Sequence, residues 1–276
     1  MKDGFEKMNL QEIDKNLDLK NWKYYLNDLK ITTNSRWLSN LNDKPIFGNF
    51  VIPKRDYLPK PDPDHHGIWV AEIPFQMILR LTKPNDIVWS QFGGSGVDYE
   101  VSKLLDRKCI INDLTPKRDF IIKADSRTFK LDEKADLILS HPPYFDIVKY
   151  SEHESDLSNA KDLKHFLKFW DEILQNSFEN LKDNGYFVFA CGNIYKNSEE
   201  IQLGVIMSLM AQKYFILKQQ IIKDYGETKS SEAKNYNVNY YRQLKGKYGC
   251  FYGDNIFIMK KQKSKNNVLQ ILKDII

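Results

Sequence analysis

From Trp69 to Lys260 the apolar positions alternate between a spacing near 3.6 and short solid runs, the pattern of helices packed on both faces of a buried, mostly parallel sheet. Over 69–82 the residues Ile73, Met77, Ile78 and Leu81 fall on one side of a helix. The runs 86–92, 108–112, 119–124, 136–140, 186–191, 214–222 and 255–260 are apolar and bounded by turn residues, so each predicts a strand. Helices are expected over 99–105, 163–181 and 199–213. In the second of these, Phe166, Phe169, Trp170, Ile173 and Leu174 form a core stripe that needs no ligand. Asp183-Asn184-Gly185 reads as the turn into the next strand. The last two strands are separated by a tyrosine- and lysine-rich excursion over 224–254.

Residues 1–64 follow another pattern. A short amphipathic helix is expected over 19–26, and 45–63 is punctuated by proline, ending in Pro61-Asp62-Pro63-Asp64. This stretch is expected to be an arm or cap on a main domain spanning 65–276.

A chain of 276 residues with 42% hydrophobic content can bury one full core. No run is long and apolar enough for a membrane span, and Met1-Lys2-Asp3-Gly4 opens no hydrophobic signal core, so the cytoplasm is the expected address. Cys109, Cys191 and Cys250 lack CxxC spacing and read as reduced structural thiols. The formal charge of +4 permits a polyanionic partner, and the cations concentrate between Lys213 and Lys263. There Tyr236, Tyr240, Tyr241, Arg242, Lys245 and Lys247 interleave rings with positive charge, which suits phosphate contact plus stacking.

Two motifs carry candidate chemistry. Phe92-Gly93-Gly94-Ser95-Gly96 ends one strand and opens a helix, where unpaired backbone N–H groups and missing side chains let a ligand approach closely. Asp113 follows at the end of the next strand, where an acid accepts from ribose hydroxyls, and Asp125 ends the third, placed to accept from an adenine amino group. The second motif, His141-Pro142-Pro143-Tyr144, closes the run Asp136 to Ser140 with a rigid corner and a ring.

In this order the motifs over residues 65–192 resemble the S-adenosylmethionine-dependent DNA amino methyltransferases, the adenine-N6 and cytosine-N4 enzymes. Family members carry Asp-Pro where this chain has Ser90-Gln91, and Asp, Asn or Ser where it has His141. The resemblance implies a Rossmann-like seven-stranded methyltransferase sheet with helices on both faces, S-adenosylmethionine held by residues 92–96, Asp113 and Asp125, and catalysis at residues 141–144. The glycine turn precedes the corner, an order that implies target recognition in the C-terminal excursion and DNA as partner. The small recognition region leaves room for a homodimer or a restriction or specificity subunit.

The corner would act on an exocyclic amino nitrogen, adenine N6 ahead of cytosine N4. Its lone pair is delocalised into the ring, so acceptors aimed at its N–H bonds favour the pyramidal, charge-developing geometry. The resemblance assigns these roles to the Pro142 carbonyl and the side chain at His141, with Tyr144 stacking on the flipped base. His141 can accept only when neutral, so transfer is expected to fall with acidification through about pH 6.5. By the same resemblance, His66-Gly67-Ile68-Trp69 touches the methionine end of the cofactor, while Tyr150, Ser151, Glu152 and His153 form a loop suited to closing over the base. Asp62, Asp64, His65 and His66 lack the spacing of a metal site and read as solvated loop residues, so no metal is expected. Other readings stay open. Pro-Pro-aromatic corners also serve RNA guanine-N2 and protein glutamine methyltransferases, and Ser90 with His141 would fit a catalytically impaired nucleic-acid-binding partner of an active enzyme.

Overall fold

The computed structural model describes residues 36–38, 50–51, 67, 69–224, 241, 243–247 and 253–275. In chain order the elements are β1 (Arg36–Leu38), β2 (Phe50–Val51), α1 (Glu72–Leu81), β3 (Ile87–Gln91), α2 (Val97–Leu104), β4 (Lys108–Asp113), β5 (Ile122–Lys123) and β6 (Ala135–Ser140). There follow α3 (Leu163–Asn180), β7 (Leu181–Cys191), β8 (Ile194–Lys196), β9 (Glu199–Ile201), α4 (Leu203–Ala211), β10 (Ile216–Asp224), β11 (Gly253–Lys260) and α5 (Val268–Ile275).

One sheet runs β2-β1-β10-β11-β7-β6-β3-β4-β5, and β8 and β9 form a separate hairpin. Seven of its strands, β3 to β7 with β10 and β11, are those the apolar runs predict. All neighbours pair parallel except β11, which runs antiparallel to both β7 and β10. From β3 the chain winds outward through β4 and β5, then returns to place β6 on the other side of β3. The crevice above the carboxyl ends of β3 and β6 is therefore a topological switch point, where ligands bind in open α/β sheets.

Period-two alternation divides the buried residues between two faces. Val88, Leu137, Leu139, Val188 and Ala190 pack with α1 and α2. Trp89, Ile138, Phe187, Phe189 and Phe257 pack with α3 and α4. The second face is an aromatic layer, in which the Phe189 ring lies 5.1 Å from Trp170 and 4.9 Å from Phe257. Phe189 is fully buried, so Phe189→Ala is expected to lower unfolding free energy by about 3–5 kcal/mol, read by urea titration.

Several boundaries differ from the sequence expectation. The expected turn at 183–185 lies inside β7, which begins at Leu181 and absorbs the irregularity as a register shift against β6. Asn184 takes φ 65 there, a value its short polar side chain tolerates. Residues 199–201 are not helical but close the β8–β9 hairpin, and the expected strand over 119–124 shrinks to two residues. Pieces of the N-terminal arm add β1 beside β10, pairing Arg36 with Ile222, and β2 beyond it. Helix α5 has no counterpart in the sequence reading. The expected helix over 19–26, the segment 61–66 and Cys250 lie outside the described residues; Cys109 and Cys191 are free thiols.

Candidate active site

The glycine turn leaves β3 with Phe92 at φ 57 and Gly96 at φ 82, both left-handed. A β-carbon at Gly96 would stand 2.7 Å from the Phe120 ring, and one at Gly93 would stand 2.6 Å from Ile111 Cγ1. Both positions therefore need glycine, one for backbone angle and space, the other for close packing. Gly94 N–H donates to Asp113 Oδ2 at 3.0 Å, which fixes the turn against the end of β4. Asp113 Oδ1 also accepts from Thr115 N–H at 2.9 Å. Ser95 Oγ is buried with no hydrogen-bond partner among the described residues.

The corner leaves β6 one strand away. His141 and Pro143 line the same pocket as Phe92, Gly93, Gly94, Ser95 and Asp113. The two sequence motifs thus bound one cavity at the switch point. Gly67 and Trp69 also line it; His66 and Ile68 lie outside the described residues.

Trp69 connects two parts of the site that sequence reasoning did not join. Its ring stacks on His141 with centroids 5.1 Å apart and planes 11° apart. Its Nε1–H donates to Asp98 Oδ1 at 2.7 Å, and Ser90 Oγ donates to Asp98 Oδ2 at 2.7 Å. Asp98, in the first turn of α2, lines the pocket and is buried. Burial pushes its carboxyl up to about 6, against the opposing pull of the hydrogen bonds from Ser90 and Trp69. Ser90 occupies the strand position where the resembled family has an acid. Asp98 supplies a carboxyl to the same spot from the helix, eight residues along. The sequence signal was an acid in the first helical turn after a motif that lacked its own.

Behind the corner, Tyr144 Oη lies 3.2 Å from His141 Nε2 and donates to Asp254 Oδ1 at 3.0 Å. Asp254 Oδ2 is 3.6 Å from Lys223 Nζ, and both side chains are largely buried. Gly192 lets the Tyr144 ring in, since a β-carbon there would stand 3.0 Å from Cε2.

The remaining candidates divide. Asp125 is not among the residues that line this pocket; its carboxylate accepts from Arg127 Nε at 3.0 Å and from Nη2 at 2.6 Å. The Arg127 guanidinium in turn sits 4.0 Å over Phe169. In the loop after the corner, Val148, Lys149 and Tyr150 line the pocket, and the Tyr150 hydroxyl abuts Gly67. Ser151, Glu152 and His153 bond within the loop, to Asp156, Lys149 and Ser155, and the last two of the three are exposed. Tyr241, Lys245 and Lys247 are exposed, and Tyr195 Oη donates to Gly246 O at 3.5 Å, tying the β8–β9 hairpin to this segment. Tyr236, Tyr240 and Arg242 lie outside the described residues. No cluster of metal-ligating residues occurs among the described residues, and none of their helices is long and apolar enough to cross a membrane.

The residues present fit S-adenosylmethionine: a glycine cradle without room for side chains, an orphaned buried hydroxyl at Ser95, an acid at the end of β4 and a second acid at Asp98. No protein-family model matches the sequence. A release factor glutamine methyltransferase from Fusobacterium nucleatum subsp. nucleatum is 31% identical over 157 residues, which cover 54% of this chain and 41% of that protein. The chain thus spans about two fifths of the length of this curated relative. Among solved structures, TrmN from Thermus thermophilus aligns at 16% identity and a TM-score of 0.42, over 70% of this chain and 48% of that one. The N-methyltransferase NodS from Bradyrhizobium japonicum, in complex with S-adenosyl-L-homocysteine, aligns at 9% identity and a TM-score of 0.43, over 70% and 86%. The strand order, the antiparallel β11 and the crevice at the switch point make this chain a Rossmann-like methyltransferase fold.

Proposed function

We propose that the chain is an S-adenosylmethionine-dependent methyltransferase that acts on the exocyclic amino group of a base flipped out of DNA, adenine N6 ahead of cytosine N4. The observation that carries this reading is the shared pocket, in which the corner residues His141 and Pro143 face the glycine turn and Asp113. The Gly93-Gly94 backbone, Ser95 and Asp113 hold the cofactor, and Asp98 supplies the negative charge beside its cationic end. When bound, S-adenosylmethionine supplies a methyl group made electrophilic by its sulfonium. The Pro142 carbonyl and a neutral His141 ring accept from the substrate N–H bonds and so favour the nitrogen geometry that attacks. The Tyr144 ring, edge-on to His141 at 5.7 Å, is the clamp for the base.

DNA is favoured by the basic, ring-rich excursion and by the exposure of Tyr241, Lys245 and Lys247. Replacing Lys245 and Lys247 together by Ala is expected to reduce the slope of log affinity against log salt by roughly 2, measured by titration of a DNA duplex. A second reading, transfer to the side-chain amide of a protein glutamine, is favoured by the name of the Fusobacterium relative. The same corner chemistry applies, because an amide nitrogen is also planar and weakly nucleophilic. Tritiated methyl transfer to DNA, RNA and protein acceptors in parallel, with identification of the labelled nucleoside or residue, separates these readings. Label in DNA supports the proposal; label in RNA or protein alone replaces the substrate. No label on any acceptor, with the cofactor bound or unbound, favours a catalytically impaired partner.

A further inference from the structure

We infer that Trp69 is a positioning residue that holds the plane of the His141 ring for methyl transfer, an assignment that rests on the methyl-transfer reading of the corner. The lone pair of an imidazole nitrogen lies in the plane of the ring, so the ring accepts a substrate N–H only when that N–H arrives in the plane. Tilting the ring turns the acceptor away, whichever nitrogen serves. The last torsion of a histidine side chain is broad, so the backbone and rotamer alone do not set this tilt, and a neighbour must. Trp69 is placed to do so. The two rings face each other with centroids 5.1 Å apart and planes 11° apart, the offset parallel arrangement that aromatic pairs favour.

The indole is itself held firmly enough to act as a wall. It stands three residues before α1, is 5% exposed and belongs to the core cluster that α1 and α2 build against the sheet. An indole has one donor and no acceptor, and that donor goes to Asp98 Oδ1 at 2.7 Å. Ser90 Oγ holds the other oxygen of Asp98, also at 2.7 Å. Packing fixes where the indole lies, and the hydrogen bond fixes its rotation. Asp98, Trp69 and His141 all line the pocket. One side chain therefore sets the spacing between the carboxyl that faces the cofactor's charge and the ring that accepts from the substrate, and such spacing is what brings reacting atoms into line.

A double-mutant cycle tests the role, read by single-turnover transfer from saturating tritiated S-adenosylmethionine to DNA, or to the RNA or protein acceptor that takes the label. Trp69→Leu removes the stack and the hydrogen bond and should slow transfer roughly 10–100-fold. Trp69→Phe keeps a ring and loses the Nε1–H donor, so it should slow transfer only about 3–10-fold. In the His141→Asn background, whose carboxamide accepts without a ring to hold, each substitution should cost less than about twofold. The Trp69→Phe arm decides the question by itself if the leucine variant does not fold. Equal losses in both backgrounds make Trp69 a general support of the site and overturn the assignment, as does an undiminished rate in Trp69→Leu or, where that variant does not fold, in Trp69→Phe. Proton resonance spectra read the contact without activity. The carbon-bound ring protons of His141, assigned by their loss in His141→Asn, should lie upfield under the indole face; ordinary shifts in the wild type also overturn the assignment. Wild-type protein that shows the upfield shift and labels no DNA, RNA or protein acceptor instead overturns the functional reading, and the positioning role with it.

Discussion

His141→Phe is expected to lower the rate of methyl transfer by about 10²–10³-fold while the dissociation constant of S-adenosylmethionine changes by less than about threefold. Phenylalanine keeps a flat ring for the 5.1 Å stack on Trp69, so the pocket wall survives. What disappears is the acceptor aimed at the substrate N–H, an interaction that strengthens only as nitrogen becomes pyramidal. Loss of a group that acts in the transition state appears in kcat and not in ground-state binding. His141→Asn is the informative control. A carboxamide oxygen accepts without titrating, so this variant should recover much of the rate and show none of the decline at acid pH that a neutral-imidazole requirement imposes. Single-turnover transfer and calorimetric cofactor binding, each across pH, separate the two effects. A His141→Phe enzyme with full rate would remove His141 from the chemistry.

The second large effect concerns Asp98, and it has opposite signs for stability and for binding. Its carboxyl is raised from 3.8 to about 6 in the folded protein, chiefly by burial. A raised carboxyl binds its proton more tightly folded than unfolded, so this contribution to stability is complete below the unfolded value and is lost as pH rises through about 6. The difference corresponds to roughly 3 kcal/mol of strain carried by the ionised, fully buried group at pH 8. Asp98→Asn, which cannot ionise, is expected to match the wild type at pH 4 and to exceed it by up to that amount at pH 8, seen as a rise in Tm. Cofactor binding should move the other way. In the wild type, affinity for the cationic cofactor increases as pH rises through about 6, and in Asp98→Asn it is weaker and flat across the same range. Equal pH dependence in the two proteins would show that Asp98 does not meet the cofactor's charge.

The glycine turn and the Pro-Pro corner were legible because each is a contiguous motif at the end of a strand marked by an apolar run. That they share a pocket followed from the parallel order, in which β3 and β6 are neighbours. The contacts that support them were not legible, since the partners are remote in sequence: Trp69 and Asp98 are 29 residues apart, and Tyr144 and Asp254 are 110. Local pattern also failed where tertiary pairing overrode it. Residues 181–185 read as the end of a helix and a turn, yet pairing with β6 and β11 draws them into β7. Asp125 had the right place at the end of a strand. Its ion pair with Arg127, two residues on, is visible only once the turn between them is known.

Strand β11 lies between β7 and β10 and touches both along six or more registered pairs. During synthesis β7 and β10 therefore emerge with no mutual pairing, and each waits with an open edge until residues 253–260 leave the ribosome. The aromatic layer waits as well, because Phe257 is its last ring to arrive. Closure of so distant a pairing is slow compared with helix formation. A nascent chain halted before residue 253 should thus bind chaperones that recognise unpaired edges, and release from them should coincide with the appearance of β11.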